Sequence, residues 1–313
     1  MKRKLIWLAI VVFVLLFVAL GGGLWFGSGS ILFPSFKGVT RDLSVCKQEN
    51  AKAWGEGCGN LRATHQFKFS EVHVPSVNGY DLPGWLVRTT ENGMEPAKGA
   101  IMLVHSGGSD RREQTRHIQF YLSQRLDVLT FDLGCQGEAP CPVPGMTYGQ
   151  RESRDVFSVY LYLTDKYEKV YAMGSSVGAA AILIALPEMP KLSGVIAENA
   201  MVSFQRLLKE ASQAQSLPGF AMDAMIKMVM LRGRFDGLLS PKNSLPLAKT
   251  TPIFFIHSKE DKVISSQQTQ DLADLYAGPK TVWFPEKGEH SAIWDVNQVE
   301  YEKKIADFLN SAQ

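Results

Sequence analysis

Between residues 67 and 284, short apolar runs alternate with longer stretches patterned for helix, and this alternation constrains the fold more than any other feature. Ala100-Ile101-Met102-Leu103-Val104 is apolar without interruption, as a parallel strand covered on both faces must be. Residues 126–131, 169–173, 194–197, 253–256 and 281–284 repeat that character. Residues 67–69 with 72–74, and then 82–87, read as two strands joined near Asn78-Gly79, a hairpin signal. Helical patterns separate the runs, over 112–124, 149–165, 177–187, 265–277 and 294–310. The pattern predicts an α/β fold, a doubly wound and mostly parallel sheet with helices on both faces. Residues 201–250 lack strand character and carry Met222, Met225, Met228 and Met230 among Leu and Phe. They predict a small helical insert, serving either as packing or as a lid.

One of the strand-to-helix junctions carries chemistry. Val170-Tyr171-Ala172-Met173 leads into Gly174-Ser175-Ser176-Val177-Gly178, and Ala179-Ala180-Ala181 follows. A G-x-S-x-G between strand and helix places the middle residue, Ser176 and not Ser175, at the tip of a sharp turn that only small neighbours allow. The hydroxyl then stands above the sheet, beside a helix N-terminus that favours negative charge. Gly and Ser are common, so the pentapeptide alone also reads as a simple glycine-rich turn.

Such a serine needs a base, and the base an orienting acid. Of six histidines, two lie downstream of Ser176: His257 at the end of an apolar run and His290 in Gly288-Glu289-His290-Ser291. His290, beyond the last strand, is the expected base; His257 reads as a capping or packing residue. Asp261 and its neighbour Glu260 compete for the acid role, and Asp261 is preferred because Glu260 stands nearer the strand end. These loops leave the carboxyl ends of parallel strands, where sites in open α/β sheets lie. The developing oxyanion calls for backbone N–H donors. One is Val177, the residue after the nucleophile; the other belongs in the loop Val104-His105-Ser106-Gly107-Gly108.

On His105-Ser106-Gly107-Gly108, Gly174–Gly178 and the Asp261 and His290 loops, the chain resembles the α/β-hydrolase superfamily over roughly residues 65–310. It is similar to the membrane-anchored, small-lid "abhydrolase domain" serine hydrolases. Thr147-Tyr148-Gly149, with Glu152 and Asp155, also looks like the start of the helix before the nucleophile strand. The resemblance implies Ser176 as nucleophile, His290 as base, Asp261 as acid, and oxyanion donors at Gly107 and Val177. It implies ester or thioester cleavage through an acyl-enzyme, with peptide or amide cleavage the alternative on the same triad. A non-catalytic binding module on this fold is the rival from another class. No metal or organic cofactor is implied. The chain departs from the family at Ser106, where glycine is usual, at 132–139, where an arginine is missing, and at Ser258, where glycine is common.

The N-terminus adds a location. Residues 5–26 contain no charge and follow Lys2-Arg3-Lys4. Twenty-two helical residues span about 33 Å, the thickness of a bilayer's hydrocarbon core. Gly21-Gly22-Gly23 interrupts the run, which leaves cleavage as a signal peptide the alternative, but Leu24-Trp25-Phe26 resumes it. The expected organisation is a transmembrane anchor over 1–27, a connecting segment over 28–63 and a hydrolase-type domain over 64–313, with the insert at 201–250. The three cations predict a cytoplasmic N-terminus and a catalytic domain outside, in the periplasm if the source is a Gram-negative bacterium. In such a compartment Cys46–Cys58 and Cys135–Cys141 are the simplest of three connectivities, and reduced thiols are the alternative. A net charge of +2 gives no reason to expect nucleic acid. The expected partners are a small-molecule or lipid ester and the membrane; oligomeric state is not legible.

Overall fold

The structure, a computed structural model, describes residues 2–35, 40–216 and 218–312. Residues 36–39 of the expected connecting segment and residue 217 of the expected insert lie outside them. Eight strands form one sheet in the order β1-β2-β4-β3-β5-β6-β7-β8. They are β1 (Ser70–Pro75), β2 (Asp81–Val87), β3 (Gly99–Val104), β4 (Leu126–Phe131), β5 (Val170–Ser175), β6 (Leu192–Glu198), β7 (Ile253–Ile256) and β8 (Lys280–Trp283). β2 pairs antiparallel with β1 and β4, and every other pairing is parallel.

Period-two alternation sends each central strand into two cores. From β3, Ala100, Met102 and Val104 enter one cluster, and Ile101 and Leu103 enter the other. The first face is covered by α5 (Glu152–Thr164), α6 (Val177–Ala185) and α9 (Ser266–Leu275). The second lies under α4 (Ile118–Ser123) and α10 (Ile293–Ser311). The hairpin turns at Gly79, whose φ of 85° only glycine adopts freely. Residues 67–69 are not strand, contrary to the expected hairpin arm: Phe67 is instead buried in the second core, and burial outweighs local alternation there.

Helix α1 (Lys2–Leu32) outlasts the expected anchor by five residues. Its last turns run along α8 (Gly219–Gly233), which follows α7 (Phe204–Ala214) in the insert. Leu32 is buried with Phe204, Ile226 and Val229, and that packing carries the helix past Gly27 and Gly29. Among the described residues, which omit the side chains at 8, 9, 13, 16 and 17, no helix is long and apolar enough to cross a membrane.

Over residues 40–63 the segment expected as a connector is folded and fastened. α2 (Gln48–Trp54) lies within the loop closed by a Cys46–Cys58 disulfide, α3 (Leu61–Thr64) follows it, and Cys135 pairs with Cys141. Buried Arg112, ion-paired with Asp110 at 2.8 Å, donates Nη1 to Leu43 O at 2.9 Å and to Val45 O at 2.8 Å. A buried cation satisfied by a buried carboxylate and two main-chain carbonyls holds this segment to the loop beyond β3.

The start of α6 lies hard against the end of β3. A Cβ at Gly178 would stand 2.5 Å from Val104 O and 2.6 Å from His105 O. In an exposed helix Gly→Ala gains about 1 kcal/mol. Here the methyl group meets backbone that cannot yield, so Gly178→Ala should instead cost about 3 kcal/mol in urea unfolding.

Candidate active site

Ser176 connects β5 to α6 with φ 54° and ψ −114°, a conformation that a side chain resists. The turn closes because Gly174 lies against Gly178 and Ala179; a Cβ at Gly174 would stand 2.6 Å from Gly178 C. It is pinned from the neighbouring strand, where Glu198 O accepts the Ser176 N–H at 2.8 Å. Strand pairing, glycine and a helix N-terminus together hold the hydroxyl above the carboxyl edge of the sheet.

Of the two adjacent carboxylates beyond β7, Asp261 meets the imidazole. His290 Nδ1 lies 2.7 Å from Asp261 Oδ2, so Nδ1 carries the proton and Nε2 keeps its lone pair. The other oxygen, Oδ1, accepts the N–H groups of Val263 at 2.8 Å and Ile264 at 3.0 Å. Burial alone would raise the pKa of Asp261. Hydrogen bonds from His257 and His290, with the charge His290 can carry, outweigh it and hold the carboxyl well below the usual carboxylate range. Glu260 has another task, accepting the Gly288 N–H at 3.0 Å and so fixing the His290 loop from one side. On the other side Arg116 Nη2 donates to Ser291 O at 2.9 Å.

His257 is buried beneath this pair. Its Nε2 faces two acceptors, Ile264 O at 2.9 Å and Asp261 Oδ2 at 3.1 Å, while Nδ1 lies 2.6 Å from Thr269 Oγ1. Two acceptors on one nitrogen assign the proton to Nε2, leaving Nδ1 to accept from the Thr269 hydroxyl. The residue positions Asp261 and has no path to the cavity.

Gly107 and Val177 come together across the site: a Cβ on Gly107 would stand 2.7 Å from Val177 Cγ2. Among the described residues neither N–H has a hydrogen-bond partner, although the donors flanking Gly107 do. Ser106 N donates to Glu113 Oε2 at 3.0 Å, and Gly108 N donates to Gln136 Oε1 at 2.6 Å. Glu113 also takes the Ser106 hydroxyl, at 2.8 and 2.7 Å to its two oxygens, so the serine found where glycine was expected ties down the loop. His105 is structural, accepting Leu133 N–H on Nε2 at 3.1 Å.

Ser176, Gly107, Val177 and His290 line one cavity of about 650 Å³. No hydrogen bond joins Ser176 to His290 among the described residues, a common state of such a pair before a reacting group fills the gap. The remaining walls are largely apolar, with Met146, Tyr148 and Met201 on one side and Leu207, Leu208 and Ala211 of α7 on another. Among the described residues no group of three His, Cys, Asp or Glu side chains is arranged to hold a metal ion.

Two carboxylates near the site went unnoticed in the sequence. Glu113 is one. Glu198, ending β6, is the other; its Oε2 accepts the Tyr301 hydroxyl at 2.7 Å, and burial raises its pKa against the pull of Arg116 and Tyr301. An acidic residue closing an otherwise apolar strand was the available signal.

No family model matches the chain. It is 25% identical over 281 residues to the uncharacterized protein YqkD of Bacillus subtilis (strain 168), covering 86% of this chain and 87% of that protein. Among solved structures it is similar to the Pyrococcus furiosus esterase Pf2001, with a TM-score of 0.63 at 18% identity over 89% of this chain and 98% of that one. The α/β hydrolase GrgF from Penicillium sp. sh18 gives a TM-score of 0.58 at 15% identity, over 79% of this chain and 99% of that one. The acylaminoacyl peptidase of Pyrococcus horikoshii gives 0.57 at 16% identity, over 78% of this chain and 41% of that one. The chain has the α/β-hydrolase fold.

Because the Asp261 pKa is lower folded than unfolded, its charge stabilises the fold above the unfolded value of about 3.9, and that gain is lost as pH falls toward the folded value. Asp261→Asn should therefore depress the urea midpoint more at pH 7 than near pH 3.

Proposed function

We propose that this protein is a membrane-anchored serine hydrolase that cleaves carboxylic esters or thioesters through an acyl-enzyme. The observation that carries the proposal is the convergence on one cavity of a strained serine, a carboxylate-oriented histidine and two unpartnered N–H groups. In the reaction His290 Nε2 takes the Ser176 proton as Oγ bonds to the acyl carbon. The carbonyl π electrons move onto oxygen, and Gly107 N–H and Val177 N–H receive that charge. Collapse expels the alcohol or thiol, which leaves with the proton from His290. Water, deprotonated by His290, then releases the acid and restores Ser176. Asp261 stays ionised throughout and stabilises the imidazolium.

An ester is preferred to an amide because the cavity walls are mainly apolar and offer few groups to hold a peptide backbone. Anchoring by residues 5–26 is supported by the absence of charge there and by the exposed side chains of Leu5, Trp7, Leu15 and Val18, a surface that water does not favour. An extracytoplasmic catalytic domain is supported by the pairing of all four cysteines.

A fluorophosphonate probe should label the wild-type protein, while Ser176→Ala abolishes labelling and leaves the urea midpoint unchanged. His290→Gln should lower kcat on a short p-nitrophenyl ester by about 10⁴-fold. Wild-type protein that is folded yet unlabelled would sink the hydrolase reading. Removal of residues 2–26 should shift the protein from the membrane pellet to the soluble fraction, and a full chain that never pellets would refute the anchor.

A further inference from the structure

Helices α1 and α8 run in the same direction. Gly27 faces Met225, Gly29 faces Arg232, and Leu32 faces Gly233. Successive contacts thus climb both helices together, and the N-terminal end of α8 lies nearest the exposed half of α1. Counted back along α8 from these three contacts, Phe220 stands level with positions 17 to 22 of α1, no shallower than Gly22. Gly22 is four residues, about 6 Å, inside the uncharged run that ends at Phe26. At that level Phe220 is 79% exposed.

The boundary of the run is marked as well. The Arg232 guanidinium lies 4.1 Å from the Trp25 ring centroid and donates to Ser28 Oγ at 2.6 Å. A tryptophan capped by a cation is the pairing favoured where hydrocarbon meets head groups. The cavity points to the same place. It extends from Ser176 along the inner face of α7, past Leu207, Leu208 and Ala211, to Ala214 and Gln215 at the exposed end of that helix. The two lid helices are joined by the Lys209–Asp223 ion pair at 3.1 Å. Pro34, just beyond α1, lines the same cavity.

Resting on the hydrolase and anchor readings above, we propose that the first turn of α8, with Phe220, enters the leaflet from which α1 emerges, and that the cavity takes the acyl chain of a bilayer-resident ester along α7. An apolar ring buried about 6 Å below the head groups fits the depth of interfacial helices. The chain of a membrane lipid entering at Gln215 meets apolar side chains until its carbonyl reaches Ser176. The substrate class is then a long-chain ester held in the membrane, in preference to a short ester free in water.

The test uses the full chain reconstituted in phosphatidylcholine–phosphatidylglycerol vesicles. Since the native cysteines are all paired, Phe220→Cys can carry a single environment-sensitive fluorophore, with Leu161→Cys on the exposed side of α5 as control. Emission from position 220 should be blue-shifted and quenched by a nitroxide on the lipid acyl chain, and that from position 161 should not. An unquenched label at 220 overturns the proposal. Phe220→Asp should slow hydrolysis of 4-methylumbelliferyl palmitate embedded in the vesicles about tenfold and leave the dissolved butyrate ester unaffected. Equal loss on both esters, or no loss on either, also overturns it. Quenching at 220 in a protein that turns over neither ester would defeat the hydrolase reading while the membrane contact stands.

Discussion

The backbone at Ser176 is the constraint around which the rest is arranged. A side chain held at φ 54° and ψ −114° costs about 1–3 kcal/mol, and the conformation persists only because its surroundings leave no alternative. Gly174 and Gly178 supply the close approach, β6 supplies the carbonyl at Glu198, and the fully buried α6 prevents the turn from relaxing outward. Each of these contacts depends on parallel strands in a fixed register, with Gly174 beside Val104 on one side and Ala197 on the other. The central sheet can be understood as the frame that keeps one peptide unit strained.

Around that point the site is assembled from loops fixed at both flanks. The Ser106–Gly108 loop is tied by Glu113 and Gln136, and the residue between the two ties is left with its N–H open. The His290 loop is tied by Glu260 before the imidazole and by Arg116 after it. Asp261 has a hydrogen-bond donor at every position, two main-chain and two imidazole. Polar groups buried this deeply stabilise only when satisfied in full, and the same satisfaction limits how far the imidazole can swing.

Much of this was legible in the sequence because the strands are apolar on both faces and the loops beyond them are short. The central runs and the order Ser176, Asp261, His290 follow from spacing along the chain, while Gly107 as the loop glycine came from the resemblance alone. What escaped was long-range: Glu198 meets Tyr301 103 residues later, and Arg112 reaches back 69 residues to Leu43 O. No local pattern encodes such contacts. Residues 67–69 misled because alternation of Phe and Lys suits a strand, whereas tertiary burial of Phe67 decided the outcome. α1 runs past the expected anchor because the glycines at 27 and 29, which weaken an isolated helix, here let α8 approach.

The junction between α1 and the α/β domain contains a further consequence. Ile31 O accepts the Tyr148 hydroxyl at 2.8 Å, Leu32 O accepts the Met146 N–H at 2.8 Å, and both partners belong to residues that line the cavity. The helix therefore ends inside the wall of the site, without a slack tether between them. A domain mounted in this way has almost no reach, and under the proposed anchoring it samples only a thin layer at constant height above the lipid. Its search for substrate then takes place in two dimensions, where encounter depends on lateral diffusion and surface density, and a rise in the bulk aqueous concentration of an ester changes little.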